Sequence, residues 1–257
     1  MQPVGRSWPL LALTATFVLA AVLLPAGPQP AAYHDFADQR AFFGVGHFLD
    51  VASNGAFLLA GVAGLLVVWR RRAHFERCAE SVPYILFFLG LALTAAGSAW
   101  YHLEPDNERL FWDRLPMTVA FMSLLAAQLV ERVDRRLGLV LLPALLAVGM
   151  AAVVYWIATE RAGAGNVLPY VALQAFAAGA LLVLAAAYPS RYTRGADVYG
   201  IFGAYLLAKV LEAFDHEVLA FGHVISGHSA KHLVAAIAGL LVCRMLWRRT
   251  RAVAEPG

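Results

Sequence analysis

Long apolar stretches alternate with short polar ones along the whole chain. Eight stretches stand out, at residues 8–24, 47–69, 82–102, 113–131, 137–158, 169–188, 199–221 and 228–247. Each is long enough to cross a hydrocarbon core of ~30 Å as a helix. A helix also satisfies its backbone polar groups within its own segment, which lipid cannot do for it. The pattern predicts an all-α integral membrane protein with eight spans. Pro25-Ala26-Gly27 after the first stretch gives it some likeness to a signal peptide. A single Arg6 ahead of it and a poor cleavage site favour a retained helix. Residues 25–46 form the longest loop and the one extended non-helical stretch.

Composition sharpens this. Apolar residues make up 61% of the 257 residues and charged ones 14%, against about 25% charged in a soluble domain. A water-soluble enzyme and a disordered chain are both excluded. Two cysteines, Cys78 and Cys243, exclude a disulfide scaffold and are expected as free thiols. A charge of +3 and a pI near 9.0 would suit nucleic acid, but the arginines sit in short loops, where they orient a membrane protein instead. No nucleic-acid partner is expected. With a cytoplasmic N-terminus, the inner segments hold Arg6, Arg70, Arg71, Arg72, Arg77, Arg132, Arg135, Arg136, Arg191, Arg194, Arg244, Arg248, Arg249 and Arg251. The outer loops hold only Arg40, Arg109 and Arg161. This bias predicts that both termini are cytoplasmic. Trp8, Trp69 and Trp247 at inner ends and Trp112 and Trp156 at outer ends agree with it.

Ionisable residues inside such spans are costly and point to function. His228-Ser-Ala-Lys-His232 opens the last span. Its two histidines are one turn apart on one face, where they can share a metal ion or simply face interfacial water. Ser98 and His102 close the third span with the same spacing. On this topology His102 emerges at the level of His228 and His232, towards the outer face, and three histidines plus water is the open coordination of a catalytic zinc. Ser98 alone also reads as a small residue easing helix contact. Ten residues separate His102 from Asp113 across a hairpin, and Asp113 stands at the expected start of the fourth span with Pro116 in its first turn. It reads equally as a helix cap or as a carboxylate that handles a water proton. Lys209, Glu212 and Asp215 form a stripe on the seventh span. Lys209 and Glu212 suit an internal ion pair, and Asp215 suits an acceptor for the ring N–H of a ligating histidine.

Taken together, Ser98-x-x-x-His102, Asp113 and His228-x-x-x-His232 resemble the alkaline ceramidases. The wider superfamily includes adiponectin-receptor-like and Per1-like membrane proteins with a seven-helix core. Asp50-Val-Ala-Ser53-Asn54-Gly55-Ala-Phe57 is similar to its first motif, Gly97-Ser98 through Pro116-Met117 to its second, and Ser226-Gly227-His228 through His232-Leu233 to its last. The resemblance covers about residues 47–248. It implies a seven-helix hydrolase core there, preceded by an extra N-terminal helix and loop at 1–46 and followed by a cytoplasmic tail at 249–257. It also implies Zn²⁺ on His102, His228 and His232, Asp113 positioning or activating water, and Ser98 supporting the oxyanion. Asn54, Lys209, Glu212 and Asp215 would line or support the pocket.

The implied reaction hydrolyses the amide of a ceramide-like membrane lipid to a long-chain base and a fatty acid. The chain departs from the family in the calcium cluster, Asp-Trp-x-Glu in the eukaryotic enzymes. Tyr33-His34-Asp35-Phe36-Ala37-Asp38 occupies that region and His47 stands where their glutamate aligns, so Ca²⁺ is not carried over. Two other readings use the same residues: a non-enzymatic zinc-containing receptor or trafficking protein of this fold, and an ion-coupled transporter working through Lys209, Glu212 and Asp215.

Overall fold

The computed structural model describes residues 8–252; Arg6 and the tail from residue 253 lie outside them. The apolar stretches fold as α1 (Trp8–Leu23), α2 (Phe48–Ser53), α3 (Gly55–Arg71), α4 (Val82–Leu103), α5 (Asn107–Arg132), α6 (Arg135–Arg161), α7 (Leu168–Ala187), α8 (Asp197–Ala213), α9 (Asp215–Gly222) and α10 (Gly227–Arg248). Among the described residues there is no strand, only two isolated bridges. Six helical segments are long and apolar enough to cross a membrane: Phe48–His74, Cys78–Leu103, Asn107–Arg132, Arg135–Arg161, Leu168–Ala187 and Gly227–Arg248. The chain has the build of an α-helical, multi-pass membrane protein.

The other two apolar stretches take different forms. Residues 8–24 make one helix of 16 residues with none buried; it leans on α7, with Phe17 edge-on to Phe176. Residues 199–221 are broken at Phe214, whose φ of −108° and ψ of 34° leave the helical region. The seventh stretch is therefore two helices, α8 and α9. Lys209 and Glu212 lie on the first, and Asp215 starts the second.

Helix starts follow their caps. Asp106 accepts the backbone N–H of Arg109 at 2.7 Å, which satisfies one of the donors that a helix start leaves orphaned. Helix α5 thus begins at Asn107, and the hairpin link is only residues 104–106. Asp113 is about two turns inside the helix, and Pro116 lies inside it too. The helix-cap reading of Asp113 is corrected: the polar first turn, Asn107-Glu108-Arg109, lies beyond the apolar stretch and hydropathy does not register it.

Two glycines set how close the helices come. A Cβ on Gly97 would lie 2.1 Å from the backbone oxygen of Trp112, so α4 and α5 touch backbone to backbone beside Ser98 and Asp113. A Cβ on Gly227 would lie 2.2 Å from the Leu211 oxygen and 2.8 Å from Asp215 Cα, which seats the start of α10 on the α8–α9 break. At the other end of the bundle, Arg249 is buried and its guanidinium pairs with Glu131. The Thr193 backbone N–H donates to the Thr250 carbonyl at 2.9 Å. Residues 249–252, the start of the expected cytoplasmic tail, pack against the bundle. Both cysteines are free thiols, Cys78 exposed and Cys243 buried.

Replacing Gly97 by Ala is expected to lower stability by about 1–3 kcal/mol or more, since backbone cannot yield as a side chain can. Gly203→Ala, with nothing within 4 Å of its Cβ, is expected to be neutral or slightly stabilising. Thermal unfolding of the two variants in the same detergent measures the difference.

Candidate metal centre

Three imidazoles converge at one end of the bundle. His102 comes from the last turn of α4, and His228 and His232 from the first turns of α10. Their ring centroids are 4.7 Å (His102–His228), 5.0 Å (His102–His232) and 4.9 Å (His228–His232) apart. One nitrogen from each lies within 4.8 Å of the others, and all three residues are buried. Among the described residues, His102 Nδ1 and His228 Nε2 are buried with no hydrogen-bond partner. Buried ring nitrogens without partners are costly. Three neutral imidazoles facing one point are the donor set of a zinc or similar transition-metal site, so the residues fit a metal.

One ring nitrogen of His232 is held from α2. Ser53 Oγ and His232 Nδ1 are 2.8 Å apart, and the Ser53 hydroxyl also lies 3.1 Å from the Asp50 carbonyl. The fully buried Asp50 carboxylate accepts the hydroxyls of Ser229 at 2.5 Å and Ser226 at 3.2 Å. Ser226 in turn caps α10, accepting the Ser229 N–H at 3.0 Å. Asn54 donates to the Asp50 carbonyl at 2.7 Å where α2 gives way to α3. Asp50 and Ser53 stand in the first motif, but nothing in their spacing reveals their contact with α10.

Asp215 does not take a ring N–H. Its Oδ1 accepts the backbone N–H of His228 at 2.7 Å and its Oδ2 that of Ala37 at 3.0 Å. Gly227 brings the α10 backbone against Asp215, so the carboxylate meets the start of the helix rather than a ring. Lys209 and Glu212 form the expected ion pair. Glu212 also takes Lys231 at 2.5 Å, a second cation the stripe on one helix does not reveal.

The loop 24–47 seals the end of the bundle. Phe36 is buried, with its ring 4.6 Å from that of His102 and 4.4 Å from that of His228. Other histidines pin this loop: His34 contacts Tyr101 Oη at 2.8 Å, His216 the Asp35 carbonyl at 3.2 Å and His47 the Asp38 carbonyl at 3.0 Å. In the stretch compared with the calcium cluster, the cation beside Asp38 is Arg40. Arg40 also donates to the carbonyls of Val224 and His223. Its hydrogen bonds hold the Asp38 carboxyl below the usual carboxylate range.

On the inward side the site opens into a cavity of about 390 Å³ lined by His232, Ser98, Asp113 and then mostly apolar side chains. Asp113 is half-buried, and its carboxyl lies beside the Ser98 hydroxyl on the cavity wall. From Asp113 to Gln128, both on the wall, α5 runs about 22 Å at 1.5 Å per residue, the length of a long acyl chain. The structure thus brings together Ser98, His102, Asp113, His228 and His232, puts Lys209 and Glu212 on the cavity wall, and leaves Asp215 and Asn54 behind the histidines as supports. No family model matches the chain, and no curated protein matches it.

Ser53→Ala is expected to leave the fold intact and weaken metal binding about 10- to 100-fold, the usual effect of removing a partner that orients a ligand. His228→Ala is expected to abolish stoichiometric binding. Zinc titration against a competing chelator distinguishes the two; equal affinity in Ser53→Ala and the unaltered protein would remove Ser53 from the centre.

Proposed function

We propose that the protein is a zinc-dependent intramembrane amidohydrolase that cleaves the amide of ceramide-like lipids, as its resemblance to the alkaline ceramidases implies. The observation that carries this reading is the placement of three buried, converging histidines, two of them with an unpartnered ring nitrogen, and of Ser98 and Asp113 at the head of an apolar cavity about as long as an acyl chain. His102, His228 and His232 would hold the metal, which as a Lewis acid polarises a carbonyl and makes water a better nucleophile near neutral pH.

The rest falls to the chain's own side chains. The apolar wall takes the acyl chain and excludes water from it. Asp113 accepts a proton from the attacking water and returns it to the amine nitrogen as the C–N bond breaks and the new C–O bond forms. The Ser98 hydroxyl donates to the carbonyl oxygen as negative charge develops there. In the membrane, the arginine-rich end is cytoplasmic and the histidine end faces outward, with the seven-helix core at 47–248 preceded by a retained first span, eight in all. Both termini are then cytoplasmic.

Purified protein incubated with a panel of N-acyl lipids, with and without chelator, tests the activity; zinc bound without product release would favour the receptor reading. Asp113→Asn is expected to keep zinc and fold while losing about 10²–10⁴ in rate, the contribution of general acid–base catalysis. Full zinc with undiminished hydrolysis would remove Asp113 from the reaction. Reporters fused at the C-terminus are expected to be active only in the cytoplasm.

A further inference from the structure

Two buried arginines in this protein sit in nearly the same surroundings, and only one has a counter-ion. Arg249 is packed against the rings of Phe75, Tyr84 and Tyr192, at 4.6, 5.1 and 4.2 Å from its guanidinium carbon. It pairs with the carboxylate of Glu131. Arg114, 4% exposed, is packed against Trp156, Tyr170 and Tyr33 at 4.3, 4.6 and 5.3 Å. Its one hydrogen-bond acceptor among the described residues is the neutral Gln29 Oε1, at 2.6 Å from Nη2. Nε and Nη1 have no partner. Ring faces attract a cation, but they do not replace the oxygens that a guanidinium fork is built to hold.

The neighbouring carboxylates are already engaged. Glu160 accepts the Gln29 backbone N–H and the Trp156 ring N–H. Glu212 is shared between Lys209 and Lys231 and takes the Tyr33 hydroxyl at 3.3 Å. Asp113 faces Lys231 and Ser98, and no ion pair joins it to Arg114 among the described residues. Arg114, Lys209, Lys231, Asp113 and Glu212 line one cavity, while Glu160 lies off its wall behind Gln29 and Trp156. Arg114, Lys209 and Lys231 against Asp113 and Glu212 leave an excess of one positive charge, before any metal is counted. Lys231 and Asp113 tie this cluster to the reacting end, since Lys231 adjoins His232.

We infer that the cavity takes N-acyl lipids whose head group is an anion, a carboxylate or a phosphate, and that Arg114, with Lys209 and Lys231, holds that anion. The inference rests on the proposed function for the nature of the amide, but not for the charge: among ceramide-like N-acyl lipids it selects those whose head group carries a carboxylate or phosphate over neutral ceramide itself. An anionic head group supplies Arg114 with the oxygen acceptors that Glu131 supplies to Arg249. It also draws on the ammonium groups that Glu212 alone leaves in excess. A neutral head group does neither.

Binding of three probes with one acyl chain tests this without requiring turnover: N-palmitoylglycine, N-palmitoyl phosphoethanolamine and the neutral N-palmitoylethanolamine. Each is titrated into zinc-loaded and metal-stripped protein in nanodiscs. At least one anionic probe is expected to bind about tenfold or more tightly than the ethanolamide in both forms, the factor that one charge-assisted hydrogen bond provides. The stronger of the two identifies the anion. Arg114→Gln is expected to remove most of that preference while neutral-probe binding stays within about twofold, since the lost term is electrostatic. Lys209→Gln, at a side chain 46% exposed, is expected to reduce the preference and decides the matter if Arg114→Gln does not fold. Equal binding of all three probes, or a preference unchanged in the folded variants, would overturn the inference. Charge-selective binding with no hydrolysis of any probe would instead count against the amidohydrolase reading and leave this one standing.

Discussion

Three imidazoles buried in an apolar bundle impose a constraint that the neighbouring elements answer one by one. A buried polar group without a partner costs several kcal/mol, so each ring nitrogen needs a partner from the protein or a ligand. Ser53 meets one ring nitrogen of His232, Asp215 holds the backbone of His228, and Phe36 covers the rings of His102 and His228. Gly97 and Gly227 allow the backbone approaches that bring α4, α5, α8 and α10 to one point. Two ring nitrogens are still left over, and they are what fits this cluster to hold a metal ion as well as to pack.

Charge is distributed unevenly between the two ends of the cavity. At the arginine-rich end the charges close on each other: Glu131 takes the Tyr84 hydroxyl at 2.7 Å as well as Arg249, and Arg132 is held by Gln128 at 2.8 Å and the Tyr188 carbonyl at 2.8 Å. Ion pairs of this kind are costly to desolvate and add little to stability unless fully satisfied, but they leave that end with its opposite charges matched. At the histidine end the account is left open, with Arg114 lacking an anion and Glu212 facing two ammonium groups. A bundle closed at one end and electrostatically unfinished at the other suits a site for an amphiphile, whose tail needs only apolar walls and whose head needs specific partners.

The loop before α2 links these properties to access. Phe36 and the Arg40–Asp38 pair hold it across the end of the bundle, so the histidines are shielded on that side and the apolar cavity lies on the other. Water exclusion strengthens each electrostatic interaction at the site. It also means that the same residues that cover the rings help set the environment of Asp113 and Ser98.

Hydropathy alone determined that this is an all-helical membrane chain, because a bilayer admits few other solutions for 61% apolar residues. Spacing alone put Ser98 with His102, and His228 with His232, on common helix faces, since a turn of helix is a local fact. Local rules did not give the start of α5, where a cap at Asp106 outranks the apolar boundary and moves Asp113 inside the helix. Nor did they give the break at Phe214, which separates Asp215 from Glu212 and turns it towards the backbone of α10. The partners that complete the site, Ser53 for His232, Lys231 for Glu212 and the aromatic cage of Arg114, come from segments tens to more than a hundred residues apart or from different helices. Only tertiary packing decided them, because a contact across a bundle depends on how closely two backbones approach, and that is set by the side chains of both.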